Sequence, residues 1–131
     1  MALETTKQSL EKWHHMIQAG NLSDLNGLLA DEVVFRSPVA HKPYEGRQVV
    51  FFILSNDIQV FQDFTYHREF YTEDGENVVL EFSANVSGKS LKGIDMIRFN
   101  EQGKIIDFEV MIRPMSGLAA LAEQMGERIT K

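Results

Sequence analysis

GIDMIRFNEQGKIIDFEVMIRP, residues 93–114, is the stretch on which the fold turns. Two runs alternate between apolar and polar residues on either side of Glu101-Gln102-Gly103, which predicts an antiparallel hairpin of Leu91 to Asn100 and Lys104 to Arg113, closed by Pro114. Upstream the same period continues. Val78, Leu80, Phe82, Ala84 and Val86 alternate with Val79, Glu81, Ser83 and Asn85, and Gly88-Lys89-Ser90 turns this strand into the next. Phe64, Tyr66, Arg68 and Phe70 share one side of an earlier strand, joined to its successor by Asp74-Gly75. The four strands form a meander.

The first half of the chain is helical in pattern. Residues 5–19 read as a helix in which Leu10, Trp13 and Ile17 continue a stripe from Leu3, with Thr5 and Gln8 as a capping box and Gly20 as its stop. Asn21 is expected to start a second short helix through Leu25, Leu28 and Leu29, giving a helical hairpin. Val33 to Ser37 reads as a strand that Pro38 ends, Arg47 to about Phe61 as a helix buried on more than one side, and Ser116 as the cap of a last helix. Helices, a strand, a helix and a meander make an α+β domain, one curved sheet with helices on one face. At 131 residues the chain is one domain, residues 1–131.

Composition narrows the function. Thirteen Lys and Arg against nineteen Asp and Glu leave a net charge of −6 with the acids scattered, the wrong balance for nucleic acid or an anionic membrane. With no cysteine, thiolate metal sites, disulfides and a cysteine nucleophile are excluded. The longest apolar run, Val49 to Leu54, is too short to span a bilayer, and MALETTKQSLEKW lacks the plan of a secretory signal, so a cytoplasmic protein is expected. Nine Phe residues point to a roomy aromatic interior.

One residue breaks the pattern. Strand parity sets Asp95 on the same face as Leu91, Gly93, Ile97 and Phe99, so its carboxylate enters an apolar layer. Burial raises the pKa of such a group and equips it as a hydrogen-bond donor or general acid. Alternatively it accepts hydrogen bonds from a buried amide or tyrosine and only organises the core. On the other face Ile94 and Met96, with Ile105 and Met111 of the next strand, leave the outside partly apolar, and either the C-terminal helix or a second subunit must cover it. A homodimer through this outer face is the expectation.

The segments LNGLLADEVVFRSPV and GIDMIRFNEQGKIIDFEVMIRP, in this order of elements, resemble the nuclear transport factor 2-like (cystatin-like) fold. The likeness is strongest to its SnoaL-like and ketosteroid-isomerase-like branch, and it runs from about Ser9 to Pro114. It implies a cone with an apolar cavity between a curved, mostly antiparallel sheet and helices packed on its concave face, and it implies dimers. By the same resemblance the isomerase's acidic oxyanion donor falls on Asp95, its tyrosine on Trp13 and its proton-moving aspartate on Ser37. An indole N–H donates but cannot accept, and a serine is no general base without an activating partner, so steroid isomerisation itself is not expected. A polyketide-cyclase-type reaction needs only one acid–base carboxylate. The Asp-Arg-Asp set of the fold's epoxide hydrolases is not found.

Other candidates weigh less. His41, on the loop after the first strand, could shuttle protons at the cavity mouth, which Tyr44 could close. His14 and His15 point about 100° apart on a helix and make a poor metal site, so no metal and no cofactor are expected. The expectation is therefore a protein that binds a small hydrophobic molecule. If it is an enzyme, it carries out isomerase-, cyclase- or lyase-type proton transfer beside a carbonyl with Asp95 as acid or oxyanion donor, assisted by Ser37 and His41. The pocket wall is drawn from Trp13, Ile17, Phe35, Tyr44, Phe82, Ile97 and Phe108. The alternative is a catalytically silent dimerisation or accessory domain with a closed pocket.

Overall fold

The computed structural model describes residues 2–129. Helix α1 (Ala2–Ala19) and a single 3-10 turn (Leu25–Gly27) precede β1 (Leu29–Arg36) and the short β2 (Tyr44–Glu45). Helix α2 (Arg47–Val60) leads into the meander β3 (Gln62–Tyr71), β4 (Asn77–Val86), β5 (Lys89–Phe99) and β6 (Ile105–Arg113), and α3 (Met115–Ile129) ends the chain. The strands lie in the order β2-β1-β6-β5-β4-β3. All neighbours are antiparallel except β1 and β6, which run parallel and enlarge the meander to six strands.

The core fills the concave side. Leu10, Trp13 and Met16 of α1 pack with Val50, Ile53 and Leu54 of α2 over Phe35, Leu80, Ile97 and Phe108 of the sheet. Two buried hydroxyls fasten α1 to the hairpins: Thr6 Oγ1 donates to the Gly75 carbonyl at 2.6 Å and Ser9 Oγ to the Gly103 carbonyl at 2.6 Å. Gly75 has a φ of +76°, and a Cβ there would lie 2.4 Å from the Leu3 Cα, so the turn admits only glycine against the helix.

Several expectations are corrected. Helix α1 starts at Ala2, which puts Thr5 and Gln8 inside it rather than at its cap. The second helix is only the 3-10 turn, because the Leu28 carbonyl accepts the Ile105 amide at 2.7 Å and Leu29 pairs with Ile105, drawing the chain into the sheet. Helix α2 buries one face only; Val49 and Phe52 are exposed. A register shift between Arg98 and Phe99 turns Ile105 inward, where it is fully buried, so it does not belong to the outer face. Helix α3 sets Gly117 against Leu91 on the concave side and leaves the outer face uncovered by any described helix.

Candidate functional site

The β5 side chains alternate as the sequence requires, with Leu91, Gly93, Asp95, Ile97 and Phe99 buried and Lys92, Met96 and Arg98 exposed. Asp95 is only 5% exposed. Its Oδ2 accepts the Tyr66 hydroxyl at 2.6 Å, and the Tyr66 oxygen in turn accepts the Trp13 Nε1–H at 2.9 Å. An indole can only donate, so Trp13 fixes Tyr66 as its acceptor and turns the phenol proton toward Asp95. A directed chain therefore runs from α1 through β3 to β5. Burial pushes the Asp95 carboxyl up to about 7, against the pull of the Tyr66 hydrogen bond. Tyr66 is itself raised well above the ordinary phenol value by burial and by the charge of Asp95.

This chain ends in a small cavity of about 50 Å³. Its bore is narrow: it has room for a few waters and falls well short of the roughly 300 Å³ of a ligand pocket. Phe61, Phe64 and Phe82 form one wall, with Phe64 and Phe82 stacked at 4.8 Å and Phe61 edge-on to Phe64 at 5.4 Å. Trp13 and Phe108, 5.3 Å apart, stand beside Ile17, Leu22, Val110 and Leu121.

A second carboxyl lines the same cavity. Asp57 lies on α2 one turn beyond Ile53 and Leu54, on the helix face that packs inward. Burial pushes it up to about 8, with the Asp95 charge adding to the rise. Neither Asp57 nor Tyr66 is a candidate in the sequence reading. Both carry a signal there: Tyr66 follows Phe64 by two on a strand, and Asp57 falls at helical spacing from Ile53 and Leu54.

Of the residues expected at the site, Asp95, Trp13, Ile17, Phe82 and Phe108 line the cavity. Phe35 and Ile97 are buried core residues away from it, and Tyr44 stacks on Phe35 at 6.4 Å instead of closing a mouth. His41 is exposed on its loop and lines no part of the cavity. Ser37 is spent in a turn, its Oγ accepting the Val39 amide at 3.2 Å, while its neighbour Pro38 reaches the pocket. Arg68 leaves the aromatic side because β3 carries an extra residue between Tyr66 and Glu69, which oppose Phe82 and Leu80. The bulge turns Arg68 to the outer face, where it makes two hydrogen bonds to Glu81 at 2.9 and 2.7 Å. It also brings Glu69 inward to pair with His14, whose ring meets the Tyr66 ring edge-on at 4.9 Å. Among the described residues no cluster of three His, Cys, Asp or Glu could hold a metal ion, and no helix is long and apolar enough to cross a membrane.

Comparison with known proteins places the chain. The family model described as a SnoaL-like domain matches residues 10–108. The chain is similar to the crystal structure of a steroid delta-isomerase from Pseudomonas aeruginosa, with 55% identity, a TM-score of 0.94, and coverage of 96% of this chain and 92% of that one. It is also similar to an uncharacterised protein with a cystatin-like fold from Silicibacter pomeroyi, at 33% identity and a TM-score of 0.88 over 94% and 86% of the two chains. An epoxide hydrolase/cyclase-like enzyme of salinomycin pyran ring formation shares the fold at 16% identity, with a TM-score of 0.72 over 89% and 97%. No curated protein sequence matches. Because the family model spans most of the sequence and a solved relative agrees along nearly all of both chains, the chain belongs to the SnoaL-like domain family within the nuclear transport factor 2-like superfamily.

Proposed function

We propose that the cavity takes a small hydrophobic carbonyl compound and that Asp95 exchanges a proton with it, in an isomerase- or cyclase-type reaction without a cofactor. The observation that carries this reading is the Trp13–Tyr66–Asp95 chain, which ends at a buried carboxyl in an aromatic pocket. A carboxyl held near neutrality changes protonation state at low cost, as proton transfer to or from carbon requires. The steroid delta-isomerase name of the 55%-identical structure favours the same class of chemistry. If so, the base is not residue 37, whose serine is engaged in a turn. His41 and Ser37 take no part in the proposed step.

The test is a thermal-shift screen of cyclic ketones and phenols, followed by turnover of the compounds that bind. Ligands should raise the melting temperature of the wild type and of Asp95→Asn alike, by mass action, and only the wild type should turn them over. The narrow bore favours one rival, a closed accessory domain. A screen in which nothing binds decides for that rival.

A second copy of the chain is the proposed cover of the outer sheet face. Phe70, Met96 and Met111 are 53%, 38% and 45% exposed there, beside the half-buried Val79 and Ile94. The charges around them are mixed: Arg68, Lys92 and Arg98 stand among Glu81, Asp107 and Glu109, although the whole chain carries −6. Two such faces can meet without net repulsion, which the acidic remainder of the surface does not offer. Sedimentation equilibrium should show a dimer that Met111→Glu splits, and a wild-type monomer at every concentration would refute it.

A further inference from the structure

Helix α1 meets Tyr66 with two successive residues. Trp13 reaches the hydroxyl, and His14 sets its ring edge-on to the Tyr66 ring at 4.9 Å and 76°. Phe64 abuts the same ring at 4.9 Å and 81°, and the Phe82 centroid lies 6.4 Å away. Rings therefore enclose the phenol, while its oxygen carries the bonds to Trp13 and Asp95.

His14 is itself held. Its Nε2 pairs with Glu69 Oε1, Glu69 Oε2 accepts the Tyr71 hydroxyl at 2.5 Å, and Lys7 Nζ lies 5.7 Å from the centre of the Tyr71 ring. Glu69 reaches His14 only because of the β3 bulge. Continuing the register that pairs Tyr66 with Phe82 would set Glu69 opposite Val79, on the outer face, whereas it lies opposite the buried Leu80. A bulge gives up ladder pairing, and beside a site it serves to re-aim a side chain. The side chain re-aimed here is the one that fixes the His14 imidazole. Both residues line a surface groove with Lys7, Leu10 and Tyr71, and neither lines the cavity. Any influence they have on Asp95 passes through Tyr66.

Resting on the reading of the pocket given above, we propose that His14, oriented by Glu69, is a positioning residue: it holds the Tyr66 ring so that the hydroxyl stays between the Trp13 donor and the Asp95 acceptor. Those two bonds, at 2.9 and 2.6 Å, tolerate little movement. A displacement of the oxygen by about 1 Å away from both partners takes them past hydrogen-bond range. Without the imidazole the phenol ring gains room toward the groove, and Asp95 loses the donor that favours its ionised form. Because His14 stands outside the cavity, its loss slows the proton transfer and leaves ligand binding intact.

The test uses the full chain, and its first arm needs no substrate. Trp13 is the single tryptophan, so its indole N–H gives one NMR signal whose position reports the bond to Tyr66. Tyr66→Phe marks where that signal falls when the acceptor is gone. In His14→Ala the signal should move toward that mark and exchange with D2O about 10-fold faster than in the wild type. Alanine is the best helix former, so a weakened α1 cannot account for the change. His14→Phe keeps a ring edge against Tyr66 and should return the signal to its wild-type position. Glu69→Ala, which frees the imidazole, should show part of the effect, and Glu69→Gln, which keeps an acceptor for it, should show none. An indole signal of His14→Ala at the wild-type position overturns the proposal, as does one that His14→Phe fails to restore. The second arm follows deuterium uptake from D2O into 2-tetralone. In His14→Ala kcat should fall about 10-fold or more with KM within about twofold of the wild type. An unchanged kcat, or a loss confined to KM, overturns the positioning role. A wild type that exchanges nothing overturns the proton-transfer reading of the pocket, while the indole signal still decides whether His14 holds Tyr66.

Discussion

Replacing Tyr66 by Phe removes one oxygen from the centre of the Trp13–Tyr66–Asp95 chain and keeps the ring that packs on Phe64 at 4.9 Å. Two losses follow. The Trp13 Nε1–H is left without an acceptor in the core, worth about 1–3 kcal/mol, and Asp95 loses a donor worth about 1.5–3 kcal/mol when it is ionised. The pH dependence has a definite sign. Asp95 titrates near 3.8 in an ordinary setting and near 7 in the fold, so the unfolded chain ionises first and stability falls as pH rises between those values. Without the Tyr66 donor the folded carboxyl titrates higher still, and the fall continues past neutrality. We expect Tyr66→Phe to lose about 2 kcal/mol near pH 5 and about 4 kcal/mol near pH 9, measured by urea unfolding. NMR titration of the Asp95 carboxyl should show its pKa above the wild-type value. A pKa that stays put or drops, or a stability deficit independent of pH, would refute the directed chain.

Two further outcomes test other parts of the site. Asp57→Leu should match the wild type near pH 4 and exceed it near pH 9; one pKa unit is about 1.4 kcal/mol, and solvent at the cavity mouth reduces the full shift to an expected gain of about 2 kcal/mol. Superimposable pH profiles of unfolding for the two proteins would contradict the burial of that carboxyl. Gly93→Ala should cost about 1–3 kcal/mol and weaken ligand binding, because a Cβ there would stand 2.5 Å from the Met111 carbonyl oxygen and 2.7 Å from the Phe82 ring, and the carbonyl cannot move. Denaturant midpoints and thermal shifts check both effects, and an unchanged midpoint would mean that the β5–β6 contact is looser than described.

The meander and the inward turn of Asp95 were legible because alternation over Leu91 to Phe99 is unbroken and one face is fully buried. Where the sequence misled, tertiary pairing beat a local pattern. Leu25, Leu28 and Leu29 have helical spacing, yet the β6 amide at Ile105 and the open edge of the sheet recruit Leu28 and Leu29 into strand geometry. The β3 bulge is silent in the sequence: an extra residue between Tyr66 and Glu69 looks like any other, yet it reverses the sides of Arg68 and Glu69. Asp57 was missed for a different reason. A lone acid on an apolar helix reads as a solvent-facing residue until the sheet opposite it is known. The proximity of Trp13, Tyr66 and Asp95 joins positions 53 and 29 residues apart, which no spacing rule links.

The tight bore also has a kinetic meaning. With so little free space inside, a guest larger than a few waters must displace lining side chains as it enters, so uptake is expected to keep the tempo of side-chain fluctuations and not that of diffusional encounter. Residence inside is lengthened by the same obstruction. Brief incubations therefore understate occupancy, and warming speeds entry far more than it changes the final degree of filling.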